Sequence, residues 1–197
     1  MKKSPWMIVA VISAIVFLMT MLMVVIKTPA LDISVSQAVE NFSNNSSGFL
    51  SLLGNHIGIV LGGITLLILL ILYSNRRKKE LIALPVALLL GYVVSILLKF
   101  IVQRSRPASA MINETGYSFP SNHVVFASIL FIMVIYFFVK EMKTEISKRA
   151  LISFSTIMIL FVGSLRIYLN VHWVTDILGG IALGAFITSL VVLHLEK

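Results

Sequence analysis

Apolar and polar positions fall into long blocks along this chain. Six apolar runs, at about 6–26, 55–74, 81–103, 121–140, 150–169 and 173–195, are separated by short polar stretches. A helix rises 1.5 Å per residue, so about 20 apolar residues match the hydrocarbon core of a bilayer. The pattern predicts an all-α, polytopic membrane protein with six transmembrane helices in a single domain, 1–197, with neither an internal repeat nor a soluble domain. The first run is longer than the apolar core of a signal peptide, and Lys27-Thr28-Pro29-Ala30 is a poor cleavage site, so a retained anchor is expected.

The stretch 31–54 alternates apolar and polar residues and becomes Asn/Ser-rich at 44–48. Its first part, 31–42, predicts a short helix lying at the outer surface. Gly58-x-x-x-Gly62 and Gly180-x-x-x-Gly184 fall inside predicted spans, where small residues one turn apart let helix backbones approach closely.

Composition supports a lipid environment: 58% of the 197 residues are hydrophobic and 12% charged, too apolar a balance for one water-soluble core of this size. The net charge of +8 would suit nucleic-acid binding, but the cations sit between the apolar runs, as membrane topology requires. No nucleic-acid partner is therefore expected. Lys2 and Lys3, Arg76 through Lys79, Lys140, Lys143, Lys148, Arg149 and Lys197 all fall on one side of the predicted bundle. The positive-inside bias makes that side, and both termini, cytoplasmic. Lys27, Lys99, Arg104, Arg106 and Arg166 fall on the other side and need a separate explanation. With no cysteine in the chain, covalent or metal chemistry is left to His, Asp, Glu and hydroxyl groups.

Three polar clusters share the outer side. The first, 99–107, runs from Lys99 to Arg106-Pro107, and Pro107 places a helix exit at Arg106. Its bland reading is two cations that snorkel to headgroups or complement a helix dipole. The second, 120–123, is Pro120-Ser121-Asn122-His123, where Ser121 or Asn122 caps the fourth span and free backbone N–H groups face a site that favours phosphate. His123 stands in the first turn beside any anion held there, although ordinary capping explains the residues equally well. The third, 164–176, holds Arg166, His172 and Asp176. If the sixth helix begins near Val171, His172 and Asp176 are four apart on one face, close enough for the carboxylate to take an imidazole N–H. That fixes the tautomer and leaves the other nitrogen free to attack; alternatively the pair merely joins two helices.

Taken together, the clusters change the picture. Ionisable groups at membrane depth are costly and mark functional sites by default. Cations, a helix N-terminus and two histidines beside a carboxylate describe a phosphoryl-transfer site more readily than a metal cage.

The three clusters resemble the signature of the type-2 phosphatidic acid phosphatase superfamily, Lys-x6-Arg-Pro, Pro-Ser-Gly-His and Ser-Arg-x5-His-x3-Asp, over residues 99–176. Asn122 stands where that family usually has Gly, and Leu165 where it has Ser. Within the superfamily the layout is most similar to that of the small bacterial phosphatidylglycerophosphatases. The resemblance implies His172 as nucleophile giving a phosphohistidine, Asp176 orienting it, and His123 as acid to the leaving lipid oxygen and then base to water. Lys99, Arg106, Arg166, Ser121 and the backbone at Asn122 would hold the phosphoryl oxygens. It implies no metal and no other cofactor, because fixed cations supply the electrostatic stabilisation. The implied partners are a lipid-phosphate substrate and the bilayer of the plasma membrane, with no obligate protein partner, and the implied site is extracytoplasmic. Phosphatidylglycerophosphate ranks first as substrate and undecaprenyl diphosphate second.

Two rival readings use the same residues. A lipid-phosphate transporter needs the basic pocket but no bond cleavage, and neither paired inverted halves nor broken helices are visible in the sequence. A metal site at His123, His172 and Asp176 would suffer repulsion from the neighbouring cations. His56 and His194 lie outside the clusters and are expected to be interfacial and dispensable.

Overall fold

The apolar runs fold as helices in a computed structural model that describes residues 4–43 and 48–197. Lys2, Lys3 and most of the Asn/Ser-rich segment, 44–47, lie outside the described residues. In chain order the helices are α1 (Pro5–Ile26), α2 (Ala30–Ser43), α3 (Gly48–Ser74), α4 (Lys78–Val102), α5 (Asn122–Phe138), α6 (Glu145–Tyr168) and α7 (Val174–Leu195), with a short 3₁₀ turn at Val139–Glu141. All but α2 are long and apolar enough to cross a membrane, giving six candidate spans among the described residues and an all-α, multi-pass membrane protein.

Several boundaries differ from the sequence-based expectation, each for a local reason. Helix α6 begins at Glu145, ahead of the expected 150, because Thr144 Oγ1 accepts the backbone N–H of Ser147 at 3.1 Å and caps it. The charged first turn is therefore helical, with Lys148 Nζ 2.6 Å from Glu145. Helix α4 stops at Val102 rather than running to Arg106, because Gln103 takes a left-handed conformation (φ 50°) while its N–H still bonds Lys99 O at 2.9 Å. Helix α7 begins at Val174, one residue after the start of the expected span at 173 and three after the Val171 start that would put His172 inside the helix.

Half or more of the spanning residues of α5 and α7 are buried (50% and 56%), against 28–33% in the other four spans, so these two helices form the centre of the bundle. Helix α1 packs along α7, while α4 and α6 flank α5. The outer faces carry exposed Ile8, Leu18, Leu66, Leu89 and Ile157, as helices surrounded by hydrocarbon require.

The two expected small-residue pairs behave differently. A Cβ on Gly184 would stand 2.5 Å from Ser128 Cβ and 3.0 Å from Val125 O, and one on Gly180 would stand 3.2 Å from Ser121 O. That pair therefore brings α7 against α5, at the level where the second cluster begins. A Cβ on Gly58 would instead meet the imidazole of His123 at 3.4 Å, and Gly62 faces open space. The first pair leaves room for a side chain rather than joining two helices.

The two ends of the bundle are chemically distinct. At one end Ser4 Oγ donates to Glu196 at 2.7 Å, and Arg77 bonds both Glu141 (2.5 Å) and Phe137 O (3.0 Å). At the other end α2 and the connection 103–121 close over the mouths of α4, α5, α6 and α7.

Candidate active site

Pairing requirements of buried polar groups decide how the second end is built. Lys99, in the last turn of α4, donates to the carbonyls of Tyr117 (2.6 Å) and Ser118 (3.2 Å). Those bonds draw the connection 103–121 back over its own helix. After Gln103 the chain leaves α4, and Ser118 N donates to Arg104 O at 2.9 Å to fix the return. Arg106 is held by Gly116 O (3.1 Å), Thr115 O (3.3 Å) and Val171 O (2.8 Å), which ties the first cluster to the third. The Phe119-Pro120 peptide bond is cis.

Ser121 occupies the N-cap of α5, but its hydroxyl makes no cap hydrogen bond. The expected side-chain capping is therefore not made; Ser121 Oγ is buried without a hydrogen-bond partner among the described residues. The backbone of Ser121 does the joining instead, its N–H donating to Asp176 O at 3.3 Å. Because Val125 N makes the first intrahelical bond, to Ser121 O, the N–H groups of Asn122, His123 and Val124 stay outside the helical ladder. His123 is half-buried in the first turn and makes no hydrogen bond among the described residues. It lines a cavity of about 190 Å³ with Gly58, Leu61, Tyr92, Asn122 and Phe126, between α3, α4 and α5.

His172 and Asp176 meet, though not on one helical face as their spacing predicts. His172 precedes α7, and Asp176 is its third residue, where one carboxylate oxygen accepts the N–H of Trp173 at 3.0 Å and the Asp176 N–H donates to Trp173 O at 3.1 Å. The same oxygen, Oδ2, lies 3.3 Å from His172 Nδ1. The other ring nitrogen, Nε2, lies 3.3 Å from Arg106 Nη1. His172 is buried, and burial is the main reason its imidazole is pushed down from 6.5 to about 3. The hydrogen bond and charge of Asp176 oppose that shift, while Arg106 and Lys99 add to it. The ring is therefore neutral at physiological pH, with a lone pair on the nitrogen that does not carry the proton.

Arg166 is buried at the end of α6, where it donates to Gly54 O on α3 at 3.2 Å and pairs with Glu114. Glu114 also lies 3.1 Å from Arg106, so one carboxylate bridges the two arginines. Lys99 and Arg106 act electrostatically on both His123 and His172. The eight residues singled out in the sequence thus gather at one end of the bundle; His194 is exposed at the end of α7, and His56 is exposed on α3 between Gly54 and Gly58, which meet Arg166 and His123. Among the described residues no three His, Asp or Glu side chains converge as a ligand set.

Three residues of the cluster were not singled out as site residues. Arg104 bonds Asp176, Asp32 is buried against Arg104, and Glu114 bridges Arg106 and Arg166. Arg104 carried a signal, as one of the cations that break the positive-inside bias. Asp32 is the first of two acidic residues in the 31–42 segment, a spacing that gives no sign of burial.

The PAP2 superfamily profile matches residues 80–197, more than half of the chain and all three clusters. Phosphatidylglycerophosphatase B of Bacillus subtilis (strain 168) is 36% identical over 96 residues, 48% of this chain and 47% of that protein. The matched stretch thus spans about half the length of that curated relative. The fold is similar to the crystal structure of the first transmembrane PAP2 type phosphatidylglycerolphosphate phosphatase from Bacillus subtilis, with a TM-score of 0.76 at 23% identity, covering 94% of this chain and 96% of that one. It is also similar to the crystal structure of Aquifex aeolicus LpxE, with a TM-score of 0.64 at 22% identity, covering 86% and 98%. A profile match of this extent, over a six-span fold shared along nearly the whole chain, makes this protein a member of the PAP2 superfamily.

Proposed function

We propose that the protein is a membrane lipid-phosphate phosphatase that cleaves a phosphomonoester through a phosphohistidine on His172. The observation that carries this reading is the placement of His172, with Nδ1 on Asp176 and Nε2 on Arg106, each at 3.3 Å. A proton on Nδ1 is held by the carboxylate, which leaves the Nε2 lone pair directed to where Arg106 would hold phosphorus-bound oxygens.

In the first step Nε2 attacks phosphorus in line, a P–N bond forms and the P–O bond to the lipid breaks. His123 gives its proton to the departing lipid oxygen. In the second step His123, now neutral, takes a proton from water, whose oxygen attacks phosphorus and frees the histidine as inorganic phosphate leaves. Lys99, Arg106, Arg166, Ser121 and the free N–H groups at the start of α5 neutralise the equatorial oxygens in both transition states. These fixed cations and dipoles supply the electrostatic stabilisation without a metal. The apolar cavity beside His123 supports this division of labour, because it offers the lipid part of the leaving group a place next to the acid.

Phosphatidylglycerophosphate is the preferred substrate in this reading, as suggested by the name of the 36% identical relative. The site faces the extracytoplasmic side of the plasma membrane and both termini face the cytoplasm, as the distribution of cations between the two ends supports. An outward site would also serve undecaprenyl diphosphate, which keeps that substrate second.

The test is phosphate release from a panel of lipid phosphates in detergent, with and without a chelator. Turnover should be chelator-resistant and highest on phosphatidylglycerophosphate, and His172→Ala should reduce it about 10³-fold or more. His56→Ala and His194→Ala should match the parent protein. Binding of lipid phosphate without release would support a transporter, and substantial residual turnover in His172→Ala would overturn the nucleophile.

A further inference from the structure

Behind the His172–Asp176 pair lies a chain of buried charges that the proposed chemistry does not use. Asp176 Oδ1, the oxygen turned away from His172, is 2.5 Å from Arg104 Nη1. Arg104 Nη2 is 2.6 Å from Asp32 Oδ2, and Arg104 Nη1 also donates to Thr175 Oγ1 at 2.7 Å. Asp32 then closes the ring onto α7, accepting Thr175 N at 3.0 Å and the Thr175 hydroxyl at 2.5 Å. The side chains of Asp32 and Asp176 are fully buried and that of Arg104 is 5% exposed, so water screens none of these bonds. The guanidinium is covered on one side by the ring of Trp173, with its centre 5.3 Å away.

We infer that Arg104 and Asp32 form a positioning relay for the nucleophile, running Asp32–Arg104–Asp176–His172 from the surface helix α2 to the reacting nitrogen. The inference rests on the reading of His172 as nucleophile and deepens it.

Two physical consequences follow. Asp176 is held from both sides, by the Trp173 N–H and His172 on Oδ2 and by Arg104 on Oδ1, so neither the carboxylate nor the ring it orients is free to rotate. Arg104 also shares the negative charge of Asp176, which makes the carboxylate a weaker stabiliser of a protonated His172 and keeps the ring neutral to lower pH. Asp32 matters because a buried guanidinium on a single carboxylate would leave donors unmet. The carboxylate of Asp32 satisfies Nη2, leaving Nε as the one donor without a partner among the described residues, and it caps the first turn of α7, at the end where the helix dipole favours an anion. Helix α2 is thereby a working part of the site and more than a surface cover.

The other charged groups around His172 are Arg106 from the connection 103–121 and Lys99 from α4, with Arg166 of α6 and Glu114 joined to Arg106 beyond them. None of these touches Asp176 Oδ1, so a change at Arg104 reaches His172 through Asp176.

The experiment measures phosphate release from a lipid phosphate in detergent against pH, for Arg104→Gln, Arg104→Lys, Asp32→Asn and the double variant Arg104→Gln/Asp32→Asn, beside His172→Ala. Arg104→Gln should lower kcat about 10- to 100-fold with KM little changed, as expected for a group that orients a reacting one. It should also move the acid limb of kcat/KM to higher pH, because the freed carboxylate stabilises the imidazolium. Arg104→Lys keeps the charge and should return the limb toward its original position while kcat stays low. Asp32→Asn should lower kcat, and the double variant should be no worse than Arg104→Gln, since the two act on one path. Wild-type kcat in Asp32→Asn, or an unmoved acid limb in Arg104→Gln, overturns the relay. If Arg104→Gln does not fold, Arg104→Lys and Asp32→Asn decide it through kcat against KM. An active His172→Ala would instead defeat the parent reading, whatever the relay variants do.

Discussion

Arg106 Nη1 stands 3.3 Å from His172 Nε2, the one ring nitrogen that Asp176 does not hold. Like charges repel, so this contact is tolerable only while the imidazole is neutral, and burial keeps it so. In the proposed mechanism the same placement puts a guanidinium beside the path along which a phosphoryl group would reach Nε2. Three backbone carbonyls, of Thr115, Gly116 and Val171, hold the guanidinium in that orientation.

Arg106→Ala should therefore lower kcat by about 10²- to 10³-fold, the loss typical of removing one preorganised donor to a transition-state oxyanion. Arg106→Lys should recover only part of it, because a point charge on a flexible stem cannot satisfy three carbonyls and a phosphate at once. Steady-state phosphate release by the two variants checks both. A lysine variant as active as the parent would remove Arg106 from the reacting centre.

The depressed imidazole of His172 also has a consequence for stability. Its folded value, about 3, lies below the ordinary 6.5, so the fold favours the neutral ring. The stabilisation linked to that preference is fully present above pH 6.5 and is lost as pH falls from there toward 3, where an unfolded chain binds a proton that the folded one refuses. The unfolding midpoint in detergent should fall over this interval, and His172→Asn should flatten the dependence. A parent and variant with parallel curves would show that His172 is not the buried neutral group described here.

How much of this was legible in the sequence depends on the kind of signal. Six spans follow from apolar run length, which a bilayer enforces without regard to tertiary detail. The gathering of Lys99, His123, Arg166 and Asp176 at one end follows from the same topology, since each sits at the mouth of a span on the same side. Boundaries were harder. The proline after Arg106 suggested the helix exit, but Gln103 ends α4 earlier in a left-handed conformation that no residue pattern near it announces. His172 and Asp176 were expected to meet across a helical turn; they meet because Asp176 caps α7 and His172 lies just before it. Asp32 was invisible for a different reason. Its burial arises from α2 folding over the mouths of other helices, a long-range placement that no local spacing encodes.

Glu114 offers a separate test of the phosphate seat. Its carboxylate lies 3.1 Å from Arg106 and also pairs with Arg166, the two arginines proposed to hold phosphoryl oxygens. A phosphate that binds both must displace it. Glu114→Gln removes the competing charge, so inorganic phosphate should inhibit more tightly and KM should fall, by up to about fivefold for a partly exposed pair worth ~1 kcal/mol. Inhibition constants for phosphate in the two proteins measure this directly. Weaker inhibition in the variant would place the phosphate elsewhere.

The absence of cysteine makes the proposed sidedness directly testable, because a single introduced thiol is the only reactive one in the chain. Gln37 is exposed on α2, at the end that holds the site, and Asn75 is exposed after α3, at the opposite end. The proposed topology puts the Arg76–Lys79 turn in the cytoplasm. A membrane-impermeant maleimide applied to intact cells should therefore label Gln37→Cys and spare Asn75→Cys until the membrane is opened. The reverse pattern would place the site on the cytoplasmic face. It would also require four adjacent cations beside Asn75 to lie outside, against the electrostatic bias that orients membrane helices. Labelling of both positions in intact cells would point to mixed insertion, and would rule out a single outward-facing site.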